Sequence, residues 1–255
     1  MHPSKPSSTH GEGSRTSALA DDLRRFGPQG QFLGLASVGL LGVFLLVSAV
    51  TGDVSLTSLG AGLGLFALAM SVALLSLMRT YPHDTIGWCN TVTAFRLMLV
   101  AVLTAWLVQG PDAPWIVFSV AALAFVSDGL DGWLARREGN ASDFGARFDM
   151  EVDSLFAMVL ALMALQSGNV AWFVLLLGLP RYLFFVAQIS FPWLNGELPP
   201  RFSRKVVCVL QIGVLIILLL PGLTLPVTNA LVITVLTVIV WSFWVDVCWL
   251  KRTYG

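Results

Sequence analysis

Long apolar runs separated by short polar breaks constrain this chain more than any other feature. Eight of them, at about 31–50, 55–78, 91–109, 114–135, 147–166, 170–191, 203–221 and 227–249, approach the roughly 20 residues a helix needs to cross a bilayer. Hydrocarbon offers the backbone no hydrogen-bond partner, so runs of this length read as helices, which satisfy their own N–H and C=O groups. Composition agrees: 56% of the 255 residues are hydrophobic and 12% charged, more apolar surface than a soluble core of this size could hide. The expectation is an all-α polytopic membrane protein, with a six-helix core and an added N-terminal two-helix hairpin. The domains divide as 1–30, a disordered tail rich in Ser, Gly, Pro and His; 31–80, the transmembrane hairpin; and 81–255, the core. Within the tail, 18–26 reads as a short interfacial helix. The first run exceeds a signal-peptide core and is followed at once by another span, so it reads as an uncleaved anchor.

Net charge is zero, but the basic residues are placed on one side. Arg24 and Arg25 precede the first span and Arg79 follows the second. Arg136, Arg137 and Arg147 lie between the fourth and fifth, Arg201, Arg204 and Lys205 precede the seventh, and Lys251 and Arg252 follow the eighth. The opposite loops, around Asp53, Asp112, Ser167 and 221–226, hold no Lys or Arg. The positive-inside rule then puts both termini and the 136–147 loop on the cytoplasmic face of a cytoplasmic or inner membrane. Cys89, Cys208 and Cys248 are too few and scattered for a disulfide framework or zinc site. Nothing in the chain signals nucleic acid. Gly60 and Gly64, with Gly34, Gly39 and Gly42, predict close packing of the hairpin helices. Pro180, inside the sixth span, predicts a kink.

Against this background the segment 128–153 stands out. It carries Asp128, Asp131, Asp149 and Asp153 with Gly132, Ala135, Arg136 and Gly145. On a helix turning about 100° per residue, Asp128, Asp131, Gly132, Ala135 and Arg136 occupy one stripe. Gly145, Asp149 and Asp153 advance four at a time along another. An ionised aspartate in the middle of a span costs roughly 2.5–3.5 kcal/mol on insertion scales. Several together repel one another unless cations sit between them. The gathering therefore implies bound divalent metal. Oxygen-only ligands select a hard ion, Mg²⁺ or Mn²⁺, and two such ions would offset four carboxylates. Gly132 and Gly145 leave room for a ligand against the backbone. Arg137, Glu138, Asp143 and Glu151 read as ordinary charges at helix ends.

The spacing Asp-x2-Asp-Gly-x2-Ala-Arg-x8-Gly-x3-Asp-x3-Asp resembles the signature of the CDP-alcohol phosphotransferase (CDP-alcohol phosphatidyltransferase) family, and every motif position is filled. The resemblance extends from about Asn90 to the C-terminus. It implies an enzyme of phospholipid biosynthesis, commonly a homodimer among membrane lipids. Such an enzyme transfers a phosphatidyl group from CDP-diacylglycerol to an acceptor hydroxyl and releases CMP. By the same resemblance Asp128, Asp131 and Asp149 are metal ligands. Asp153 is the general base and can also touch metal, and Gly132, Ala135, Arg136 and Gly145 hold the cytidine nucleotide.

Asn90, Thr93 and Arg96 resemble the opening of the family's first core helix, which helps enclose the nucleotide. Asn90 can equally be an N-cap. Arg96 lies inside a span and needs an anion, with a substrate phosphate and Asp246 as candidates. Lys205 and Gln211 resemble part of a pattern found in glycerophosphate-accepting members, although Arg204, Val207 and Cys208 depart from it. Arg181, Lys205, Arg204 and Arg147 are the candidate acceptor-binding residues, since cations complement a phosphorylated alcohol. Glycerol 3-phosphate is the leading acceptor; inositol phosphate, serine, choline and phosphatidylglycerol are the others. A divalent-metal transporter is the competing class, because transporters also place carboxylates on facing helices. It would need polar residues continuing toward the far side of the membrane.

Overall fold

The computed structural model describes residues 27–50, 54–110, 113–138, 142–196 and 201–255, with the side chains of 130–138 and 202 left aside. The tail and the 18–26 helix expected from sequence lie outside the described residues. Among these residues nine α-helices follow in order: α1 (Gly27–Val50), α2 (Leu56–Thr80), α3 (Trp88–Gln109), α4 (Pro114–Glu138), α5 (Asp143–Gln166), α6 (Leu175–Gly178), α7 (Pro180–Ser190), α8 (Phe202–Ile217) and α9 (Leu225–Tyr254). No strand occurs among the described residues. The protein is an all-α polytopic membrane protein.

Four helices, α1, α2, α3 and α9, are long and apolar enough to cross a membrane. A fifth span would be the bent pair Trp172–Gly178 and Pro180–Ser190, whose two arms meet at 65°. Pro180 starts α7, and having no N–H to donate it breaks the ladder where the sequence predicts a kink. The other three expected spans fall short individually, for visible reasons. The apolar part of α4 is Pro114–Gly129, α8 has 16 residues, and α5 carries Asp143, Arg147, Asp149, Glu151 and Asp153. The polar site is what dilutes α4 and α5.

α3 is the hub. It packs against α1, α2, α4 and α5, and 67% of its apolar window is buried, against 17% for α1 and 28% for α2. Hence α3 lies inside the protein while the hairpin turns most of its surface outward. α3 begins after Gly87 in extended backbone and ends at Gly110, whose left-handed φ of 66° suits a residue without a side chain. The hairpin is tied to it by Ser58 Oγ, which donates to Ala105 O at 2.6 Å.

Glycine packing in the hairpin differs from the sequence expectation. Gly34, Gly60 and Gly64 face open space. The buried stripe of α2 is instead Ser58, Gly62, Phe66, Met70, Ala73 and Leu77, placing Gly60 and Gly64 on the other side. A Cβ on Gly62 would come within 2.8 Å of Ala101 O on α3, while Gly39 makes way for Phe66 and Gly42 for Met98.

Candidate metal and nucleotide site

α3 packs between the two aspartate-bearing helices, so a polar residue on its inner face meets carboxylates from both. That residue is Arg96, fully buried at 0% exposure. Its Nη1 donates to Asp128 Oδ1 at 2.5 Å, and its Nη2 donates to Asp149 Oδ1. The same Nη2 lies 3.0 Å from Asp153 Oδ1. Within the protein Arg96 answers the aspartate cluster itself. Asp246 binds elsewhere, 3.5 Å from both Arg201 Nη1 and Arg204 Nε.

Asp128, Asp149 and Asp153 each offer one carboxylate oxygen within 4.8 Å of the others. Their side chains are 36, 35 and 42% exposed. The cluster therefore has a closed floor, made by the Arg96 guanidinium, and an open side. Three carboxylates at this spacing, reachable from one side, suit a hard divalent cation. Asp131, Gly132, Ala135 and Arg136 belong to the last turns of α4, but their side chains lie outside the described residues.

The start of α5 is fixed by Ser142, whose Oγ accepts from Gly145 N at 3.1 Å. Gly145 itself faces Asn90: an added Cβ would sit 2.9 Å from Asn90 Oδ1 and 3.3 Å from Ser142 Oγ. Its missing side chain thus permits contact between α5 and α3, a role the motif spacing alone does not reveal. Asn90 is not an N-cap. Gly87 takes that position, and Asn90 N donates to Gly87 O at 3.1 Å. The Asn90 side chain is buried, and its Nδ2 has no hydrogen-bond partner among the described residues. Thr93 is buried one turn further on, its hydroxyl donating to Cys89 O.

The four candidate acceptor cations separate in space. α8 packs against α4 and α5, and the charge of Lys205 on α8 reaches Asp128. Arg204 is drawn toward Asp246. Arg181 donates to Glu151 Oε1 at 2.5 Å, and Glu151 projects from α5 roughly 200° away from Asp149. Arg147, two residues before Asp149, is exposed on that same far side. Lys205 lies on the helix that packs against both aspartate-bearing helices. Cys208, one turn beyond it, lies within electrostatic reach of Asp153, Asp128 and Arg204. Sequence reading passed over Arg96 as a member of the cluster. The available signal was its place inside a span on the Asn90, Thr93, Arg96 face.

Residues 87–246 match the CDP-alcohol phosphatidyltransferase family. The phosphatidylinositol phosphate synthase of Cutibacterium acnes is 32% identical over 94 residues, 35% of this chain and 42% of that protein. A probable phosphatidylglycerophosphate synthase of Mycobacterium tuberculosis is 27% identical over 136 residues, 52% of this chain and 65% of that protein. The chain thus spans under two thirds of the length of each of these relatives. No solved structure matches it significantly. The family match covers more than half of the chain and takes in Arg96, the aspartate cluster and Lys205, and so the protein belongs to the CDP-alcohol phosphatidyltransferase family.

Proposed function

We propose that this chain is an integral-membrane transferase that moves a phosphatidyl group from CDP-diacylglycerol to an acceptor hydroxyl and releases CMP. The observation that carries the reading is the convergence of Asp128, Asp149 and Asp153 from two helices into one cluster inside the family match. These residues, with Asp131, would hold Mg²⁺ or Mn²⁺, which when bound supplies positive charge against the diphosphate. Asp153 takes the proton of the acceptor hydroxyl as its oxygen bonds to phosphorus and the phosphorus–CMP bond breaks. Gly132, Ala135 and Arg136, with Gly145, Asn90 and Thr93, are assigned to the nucleotide. The unpartnered Asn90 Nδ2 is a donor available for it.

The acceptor proposed is glycerol 3-phosphate, held by Lys205. A lysine beside a carboxylate cluster favours a phosphorylated alcohol over a neutral one. The names of both relatives describe lipids with a phosphate on the headgroup. The metal-transporter reading finds no support, because Leu97, Val100, Ala121, Ala124, Phe156 and Leu160 are buried apolar neighbours beyond the aspartates. The same proposal has the site facing the cytoplasm and the chain pairing as a homodimer. Light scattering at the mass of one protomer would remove the dimer.

The test supplies purified protein with CDP-diacylglycerol, Mg²⁺ or Mn²⁺ and a panel of alcohols, and measures CMP. Release is expected with glycerol 3-phosphate. Release with inositol phosphate alone would change the acceptor and keep the reaction class. No release with any acceptor overturns the reading.

A further inference from the structure

We infer that Arg96 is a resident cation of the carboxylate site, keeping the aspartates assembled without metal and limiting how tightly they bind it. The inference rests on the metal-site reading above and goes beyond it. Three observations carry it. Arg96 is fully buried whereas Asp128, Asp149 and Asp153 are part-exposed, so the guanidinium closes the cluster from below and leaves the open side free. It reaches all three carboxylates, one on α4 and two on α5, through two nitrogens. Finally, the charges sum to −2 for these four side chains, three carboxylates at −1 and one guanidinium at +1.

Without Arg96 the same carboxylates would carry −3 within 4.8 Å of one another, a strong repulsion in a weakly screened interior. A divalent ion would then become necessary to hold the helices together. With Arg96 the cluster is stable on its own, and the ion binds against a fixed positive charge on the far side of its ligands. That charge lowers affinity for the bare ion. The anionic diphosphate of a bound donor restores it, so metal and donor should bind cooperatively. Arg96 is thus a positioning residue for the aspartates rather than a group that touches substrate.

The experiment uses the full chain in detergent, titrated with Mn²⁺ by electron paramagnetic resonance, with melting recorded in EDTA and in Mn²⁺. Wild type should bind Mn²⁺ and melt only modestly higher in Mn²⁺ than in EDTA, remaining folded in both. Arg96→Gln should bind Mn²⁺ at least about tenfold more tightly, because a unit charge a few ångströms from a divalent ion is worth that much even at high effective dielectric. Its melting temperature should gain about 3 °C or more beyond the wild-type gain on adding Mn²⁺. Arg96→Lys, which keeps the charge, should resemble wild type. Equal or weaker Mn²⁺ binding by Arg96→Gln, or unfolding of wild type by EDTA, overturns the inference and leaves the metal site standing. A wild type that binds no Mn²⁺ overturns the metal-site reading as well. If Arg96→Gln fails to fold even in Mn²⁺, the variant Arg96→Gln/Asp128→Asn decides: a fold restored in EDTA supports charge balance, and failure to fold overturns it.

Discussion

Several charged residues of this bundle answer one another. Arg96 answers the aspartates, Asp246 answers Arg201 and Arg204, and Glu151 answers Arg181. An unpaired charge there would be expensive, so the pairs decide which cations remain to meet a substrate. Lys205, on a helix packed against α4 and α5, is the cation proposed for the acceptor. Lys205→Ala is therefore expected to raise the KM for glycerol 3-phosphate by about tenfold or more, the scale of a lost charge-assisted hydrogen bond. Donor binding should change much less. Steady-state CMP release at varied acceptor checks this, and an unchanged KM in a folded variant would remove Lys205 from the acceptor site.

At the scale of elements, much was legible in sequence because membrane helices announce themselves by length. Helices do form where 114–135 and 147–166 are expected, as α4 and α5, although neither is by itself apolar enough to count as a span, and the Pro180 kink is real. The stripe of α5 that carries Asp149 and Asp153 was readable from helical spacing alone. Their common cation was not, because Arg96 reaches them through the packing of α3, which no local pattern encodes. Arg181 pairs with Glu151, whose side chain is 58% exposed, as the reading of Glu151 as a charge at a helix end predicts. The hairpin was read as an addition, yet it touches the site. Phe32 of α1 is buried edge-on to Phe144 and Phe148 of α5, at 6.2 and 6.1 Å between ring centres. Gln31 Oε1 accepts from Ile86 N just before α3. α1 thus braces the first turns of the helix that carries Asp149 and Asp153. Phe32→Ala should cost about 3–5 kcal/mol through the cavity it leaves, while Phe32→Leu should recover most of the loss. Melting curves test it, and an unchanged midpoint for the alanine variant would show that the hairpin does not brace α5.

For the whole molecule, the distribution of charge proposes one orientation in the membrane. With Cys89, Cys208 and Cys248 replaced, single cysteines at Asp112 and Asn140 report opposite sides. An impermeant thiol reagent on intact cells should modify the first and spare the second; the reverse pattern would invert the orientation. The proposed transferase requires that the aspartates be a catalytic centre rather than a structural one. The most direct measurement is CMP release from CDP-diacylglycerol by Asp153→Asn beside wild type, with donor binding measured on the same preparations. Removing the base while keeping its shape should lower turnover by about 10²–10⁴-fold, with donor affinity largely retained. Near-normal CMP release by a folded Asp153→Asn protein would contradict the central claim.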